Sequence, residues 1–299
     1  MNKFLKYVFL PAFLAAVLAM PAFCAIKVGA SLPDFASIAA NIGGDKVSVV
    51  SIAKGNSDPH AVDVLPSYMI KVASCKIFLK VGLALDQWAD QIIDGSGNNN
   101  LTVVDCSAGI NVLEKLENPS MALGHVHPDG NPHYWLNPAN SVIIASNIRD
   151  AFVKSDPENE KFYEDNFVAF KNKIEAKMTE WKANMKPLAG KSFISYHSSW
   201  VYFANAFDLK IAGNIEPYPG IPPTASHLDK LIGIIKDQSV SFVLQEAYFS
   251  DSAPNFLHEK TGIPVIKCNP SCEGTDANSY FDFFDKLTKE ITAAAVTKG

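Results

Sequence analysis

Short apolar runs alternate with helical patterns along almost the whole chain, and no other feature limits the fold so tightly. The first half carries IKVGAS (26–31), KVSVVSI (46–52), KIFLKVG (76–82) and LTVVDCS (101–107). The second half carries KSFISY (191–196), KIAGNI (210–215), VSFVLQE (240–246) and IPVIKC (263–268). Helical spacing fills the intervals: from Pro33 to the Gly43-Gly44 stop, near 66–74 and 86–94, and after Pro138 to about Lys154. It returns at 198–206, 224–237, 252–261 and 276–295. Continuous apolar strands separated by amphipathic helices belong to parallel sheets covered on both faces. The pattern therefore predicts the α/β class, with two lobes of parallel sheet flanked by helices.

One segment between the halves does not fit either lobe. Asp156 and Pro157 form an N-cap and N1 pair, and Phe162, Phe167, Phe170, Ile174, Met178, Trp181 and Met185 keep roughly helical spacing up to Pro187 and Gly190. A helix over 157–185 would run about 44 Å at ~1.5 Å per residue, enough to cross the back of both lobes. Such a packed helix resists the hinge motion that a Gly/Ser linker would allow. The expected divisions are 26–154, a linker helix over 155–187, and 188–299. The 299-residue length agrees with two domains.

Residues 1–25 stand apart. Lys3 and Lys6 precede an apolar stretch from Tyr7 to Met20, followed by small residues to Ala25. This is the pattern of a secretory signal peptide cleaved near residue 25, too short and too Pro-interrupted for a membrane span. Its removal leaves 24 basic against 31 acidic residues, a net charge of −7 rather than −5. An exported, acidic chain whose only arginine is Arg149 is a poor candidate for nucleic-acid binding.

Export also permits disulfides among Cys75, Cys106, Cys268 and Cys272. Cys75 opens one parallel strand and Cys106 closes another, which places them at opposite sheet ends and disfavours that pair. Cys268 and Cys272 flank the short CNPSC turn and could bridge locally.

The histidines carry the chemistry. His60 lies in Asp58-Pro59-His60 and His133 in Asn131-Pro132-His133, so [Asp/Asn]-Pro-His occurs twice. Proline fixes its own φ and holds the preceding residue extended, presenting each histidine on a defined loop. His197 follows directly on a strand, at the carboxyl edge where α/β sheets bind ligands. Three neutral imidazoles converging from separate loops would suit zinc, copper or nickel. The same three could serve a zinc hydrolase, with Glu246 or Glu273 as base. His227 and His258 fall on helical segments and are assigned no role.

The segments around these residues resemble a known family. IKVGASLPDFASIAANIGGDKVSVVSI, DPHAVDVLPS, NPHYWLNPAN, YHSSWVYFANAFDLK, IEPYPGIPPTASHLDKLIGIIKD and FVLQEAYFS, in that order, resemble the periplasmic zinc- and manganese-binding proteins of metal ABC importers. The resemblance implies two α/β lobes joined by one long helix, with the metal in the cleft. It makes His60 and His133 the first-lobe ligands and His197 the third, and it implies a carrier rather than an enzyme. The implied partners are an inner-membrane permease and its ATPase, with the protein itself a periplasmic monomer. A histidine at the third position favours Zn²⁺, since Mn²⁺-type members more often place a carboxylate there; Mn²⁺ or iron is the alternative. Asn269 stands where many members offer an aspartate, so the fourth ligand is left to water, Glu273, Glu246 or a reduced Cys268. His125 and His127 look like a short form of the His-rich loop that zinc-type relatives carry.

Overall fold

The computed structural model describes residues 25–115 and 129–296. The leader segment (except Ala25), His125 and His127 lie outside the described residues.

All eight apolar runs become strands, in two separate four-stranded sheets. The first contains β1 (Ile26–Ala30), β2 (Val47–Ser51), β3 (Ile77–Lys80) and β4 (Thr102–Asp105), ordered β2-β1-β3-β4. The second contains β5 (Ser192–Ser195), β6 (Lys210–Asn214), β7 (Phe242–Glu246) and β8 (Val265–Cys268), ordered β6-β5-β7-β8. Every pairing is parallel. The two sheets thus repeat one topology. In each, the chain steps from the first strand to one side and then crosses to the other. That creates a switch point between β1 and β3, and another between β5 and β7, at the carboxyl edges where α/β proteins bind ligands.

The connecting helices are α1 (Pro33–Gly43), α2 (Pro66–Ala73), α3 (Trp88–Ser96) and α4 (Ser141–Ser155) in the first half. The second half has α6 (Val201–Ala206), α7 (Ala225–Asp237), α8 (Ser252–Thr261) and α9 (Ser279–Val296). Between them runs α5 (Glu160–Met185), 26 residues and about 39 Å long. It is preceded by a 3₁₀ turn, Pro157–Asn159, so proline opens a tighter turn rather than the α-helix itself. Asp156 does not cap that turn through its side chain. Its carboxylate accepts instead from Asn159 Nδ2 (2.8 Å) and the Tyr163 hydroxyl (2.7 Å).

Helix α5 serves both halves. Near its start, Asn166 Nδ2 donates to the Ile42 carbonyl of α1 at 3.0 Å. Near its end, Trp181 Nε1 and Lys177 Nζ both bond the Asp285 carboxylate of α9, and Trp181 and Phe170 pack on Phe284 and Phe281. Phe170, Ile174, Trp181 and Met185 are buried as the spacing predicts, while Phe162, Phe167 and Met178 are partly buried against the same core. That core is continuous across the molecule, taking in Phe35 and Phe78 from the first half and Phe193, Phe242 and Tyr280 from the second. A smaller cluster under α7 and α8, including Ile194, Leu231, Val243 and Leu257, belongs to the second half alone.

Cys75, Cys106, Cys268 and Cys272 are free thiols among the described residues, so the Cys268–Cys272 bridge does not form. The Cys272 thiol is turned toward the Gly274 carbonyl at 3.3 Å. Among the described residues, no helix is long and apolar enough to cross a membrane.

Candidate metal centre

The carboxyl edges of the two sheets meet at three histidines. His60 lies on the loop after β2, His133 on the loop after β4, and His197 two residues beyond β5. Their ring centroids are 5.1 Å (His60–His133), 5.1 Å (His60–His197) and 5.5 Å (His133–His197) apart. One ligand nitrogen from each can be chosen so that all lie within 4.8 Å of one another. Tetrahedral binding at ~2.1 Å would set such nitrogens about 3.4 Å apart, so small ring movements suffice. His133 and His197 are buried and His60 is partly so.

Each ring is oriented by an oxygen at Nδ1. The partners are Asp58 Oδ1 for His60 (2.9 Å), Asn131 Oδ1 for His133 (3.0 Å) and Glu216 Oε2 for His197 (2.8 Å). A carboxylate or amide oxygen can only accept here, so each Nδ1 donates and each lone pair rests on Nε2. An ordering oxygen behind each ring is what metal-binding imidazoles generally require.

The repeated [Asp/Asn]-Pro-His motif now has a mechanism. In both copies one side-chain oxygen accepts from the histidine ring and from its backbone N–H, at 2.9 Å in Asp58-Pro59-His60 and 3.0 Å in Asn131-Pro132-His133. Proline places the two residues so that a single oxygen can hold both groups. Neighbouring aromatics fix the loops: Trp88 Nε1 donates to the Pro59 carbonyl (2.9 Å), and the Tyr134 hydroxyl to the Val81 carbonyl (2.7 Å). Asn131 also reaches across, its Nδ2 donating to the Ser198 carbonyl next to His197 (2.7 Å).

His197 is held differently. Its partner Glu216 lies 19 residues away, past β6, and also accepts the Gly220 N–H at 3.2 Å. Among the described residues, His197 Nε2 is buried without a hydrogen-bond partner, a costly arrangement unless something else engages it. Burial pulls the His197 imidazole down, but the Glu216 bond and the charges of Glu246, Glu216 and Asp58 outweigh it and leave it above 6.5. Glu216 was not singled out from the sequence. The only available signal was an acidic residue at the carboxyl end of an apolar run, which is common.

Among the described residues the proposed fourth ligands fall outside the cluster, which comprises the three histidines. Glu246 is fully buried, and among the described residues neither carboxylate oxygen is hydrogen-bonded in normal geometry. Burial raises it to about 7, eased chiefly by the charge of His197. Glu273 is exposed and accepts from Asn269 Nδ2 at 3.3 Å. His227 and His258 bond the carbonyls of Asn214 (2.9 Å) and Ile263 (2.7 Å), which gives them structural roles.

The family model described as zinc-uptake complex component A, periplasmic (ZnuA) matches residues 28–294. The chain belongs to the ZnuA family. Among ZnuA-family relatives it is 27% identical over 244 residues to the iron-binding protein YfeA of Yersinia pestis, covering 79% of this chain and 74% of that one. It is 25% identical over 284 residues to the manganese ABC transporter substrate-binding lipoprotein PsaA of Streptococcus pneumoniae, covering 91% and 89%. A crystal structure of ZnuA superposes with a TM-score of 0.78 at 26% identity, over 91% of this chain and 100% of that one. The two-sheet plan and its long connecting helix are those of the family.

Proposed function

We propose that the protein is an exported metal-binding component of an ABC importer that captures Zn²⁺ through His60, His133 and His197 and delivers it to an inner-membrane permease and its ATPase. The observation that carries this reading is the common orientation of the three rings, each with Nδ1 committed to an oxygen, around one point between the sheets. Three imidazole nitrogens with no carboxylate among them suit Zn²⁺ better than Mn²⁺, which prefers harder oxygen donors. The family's fold and its transport relatives support a carrier over a hydrolase. Water or Glu246, drawn toward the ion, completes the coordination.

Manganese or iron is the second reading, favoured by the metals for which PsaA and YfeA are named. Equilibrium dialysis with metal analysis separates the two. One tightly held Zn²⁺ per chain is expected, outcompeting Mn²⁺ and Fe²⁺, with affinity falling as pH drops and the imidazoles protonate. Unchanged zinc affinity in His60→Ala, His133→Ala and His197→Ala together would remove the site. The N-terminal leader and the 125–127 histidines extend the proposal to export and to auxiliary zinc capture.

A further inference from the structure

The segment after β8 belongs by sequence to the second half but is bonded to the first. The Pro270 carbonyl accepts from Trp135 Nε1 at 2.8 Å. The Asp276 carbonyl accepts from Ser37 Oγ (2.6 Å) and the Ala277 carbonyl from Asn41 Nδ2 (2.5 Å), both on α1. Tyr280 N–H returns a bond to Ser37 Oγ at 3.1 Å. Gly55, on the loop after β2, lies so close to the Cys272 carbonyl that a Cβ there would overlap it.

Asp34 sits at the centre of this seam. It is in the first turn of α1 and fully buried. One oxygen accepts the Ser271 hydroxyl and the other the Cys272 N–H at 3.2 Å. No ion pair reaches it among the described residues. Neutral donors and the positive end of α1 replace its water, but no countercharge does, so the ionised form is held at a cost.

We propose that Asp34 is the clasp of the seam: it seats the 270–272 turn on the N-terminus of α1 and, through the Pro270–Trp135 bond and the Trp135–His133 ring contact, sets the position of the His133 ring. Burial pushes its carboxyl from 3.8 up to about 6, against the opposing pull of the Ser271 and Cys272 bonds. In an opened seam that shift is lost. The closed clasp therefore binds a proton more tightly than the open one. Closure is fully favoured below about 4, weakens as pH rises, and is weakest above about 6. The titratable groups facing it do not change over that range. The Cys272 thiol and the Tyr280 hydroxyl are pushed up by burial and stay neutral, and Asp276 is held low by its Ser279 and Asn278 bonds and stays ionised. The opening equilibrium should thus rise about tenfold between pH 5 and pH 8.

Amide hydrogen exchange on the metal-free full chain, read in peptides spanning 269–280 and corrected for intrinsic rates, tests the clasp without reference to metal. Wild-type protection is expected to fall about tenfold from pH 5 to pH 8. Asp34→Asn keeps an acceptor for Cys272 and a partner for Ser271 but carries no charge, so it should hold acid-level protection at both pH values. Asp34→Ala should lose protection at both; if it does not fold, Ser271→Ala takes its place and should loosen the same amides. A wild type with no pH slope, or an Asn variant with the wild-type slope or no better protected at pH 8 than the Ala variant, overturns the proposal.

Discussion

The two sheets share one strand order but finish their switch points in opposite ways. In the first, the chain leaves β1 through Ser31, whose hydroxyl bonds Asp86 just beyond β3. Asp86 also accepts the N–H groups of Val81 (2.7 Å) and Gly82 (3.2 Å), so its buried carboxylate is fully engaged. In the second, the chain leaves β5 through His197, and the carboxylate at the end of β7 is Glu246, equally buried but, among the described residues, without a hydrogen bond of normal geometry. One switch point is closed by a satisfied polar pair. The other is left with an imidazole and a carboxylate whose capacity is unspent. Topology alone does not make a site; the difference lies in which side chains leave the equivalent strand ends.

Removing His197 should break the comparison most completely. Losing a residue that merely orients a ligand commonly costs 10–100-fold in metal affinity, so His197→Ala should exceed about 100-fold in equilibrium dialysis. The corresponding change in the first sheet should leave metal affinity alone and attack the fold. Asp86→Ala strands a buried and a half-buried N–H and a buried hydroxyl, with an expected loss of about 2–3 kcal/mol in urea unfolding. If Asp86→Ala abolished metal binding in chains that remained folded, the two switch points would not be functionally distinct.

Orientation of the rings comes next in size. Glu216→Ala frees the His197 ring and the Gly220 N–H together and should weaken zinc binding 10–100-fold, with Glu216→Gln restoring part of it because an amide oxygen still accepts. Asn131 already does this work for His133 with an amide. Full affinity in Glu216→Ala would show that packing alone positions the third ring.

How much of this was readable from sequence follows from how local each contact is. The eight strands and the long helix were legible because their apolar periodicity is written over consecutive residues, and Asp156 failed only in where its side chain went. The two [Asp/Asn]-Pro-His loops were legible because ring, backbone and orienting oxygen lie within three residues. Glu216 was not, since its bond to His197 spans 19 residues and depends on the β5–β6 pairing. The seam at Asp34 and Ser271 spans 237 residues, and nothing local marks either partner. Glu246 was legible as an acid near the site, but its lack of well-formed hydrogen bonds is a property of the packed second half alone.

That lack supplies the smallest and most discriminating change. Glu246 has a carboxyl raised by burial from 4.5 to about 7, so the folded protein holds a proton that the unfolded chain has released between those values. Metal-free stability should therefore fall as pH climbs through that window, with the full penalty present above about 7 and none below about 4.5. Glu246→Gln keeps the shape and removes the charge, though it still buries an amide, so a gain of about 1–2 kcal/mol at pH 8 that vanishes near pH 4.5 is expected in urea unfolding. Asp86→Asn removes a carboxyl that burial also raises but that three donors pull back down, so it should gain less than Glu246→Gln at pH 8. If Glu246→Gln also weakened zinc binding well beyond tenfold, the unspent carboxylate would be a metal ligand, and the contrast between the two switch points would become the contrast between a structural acid and a coordinating one.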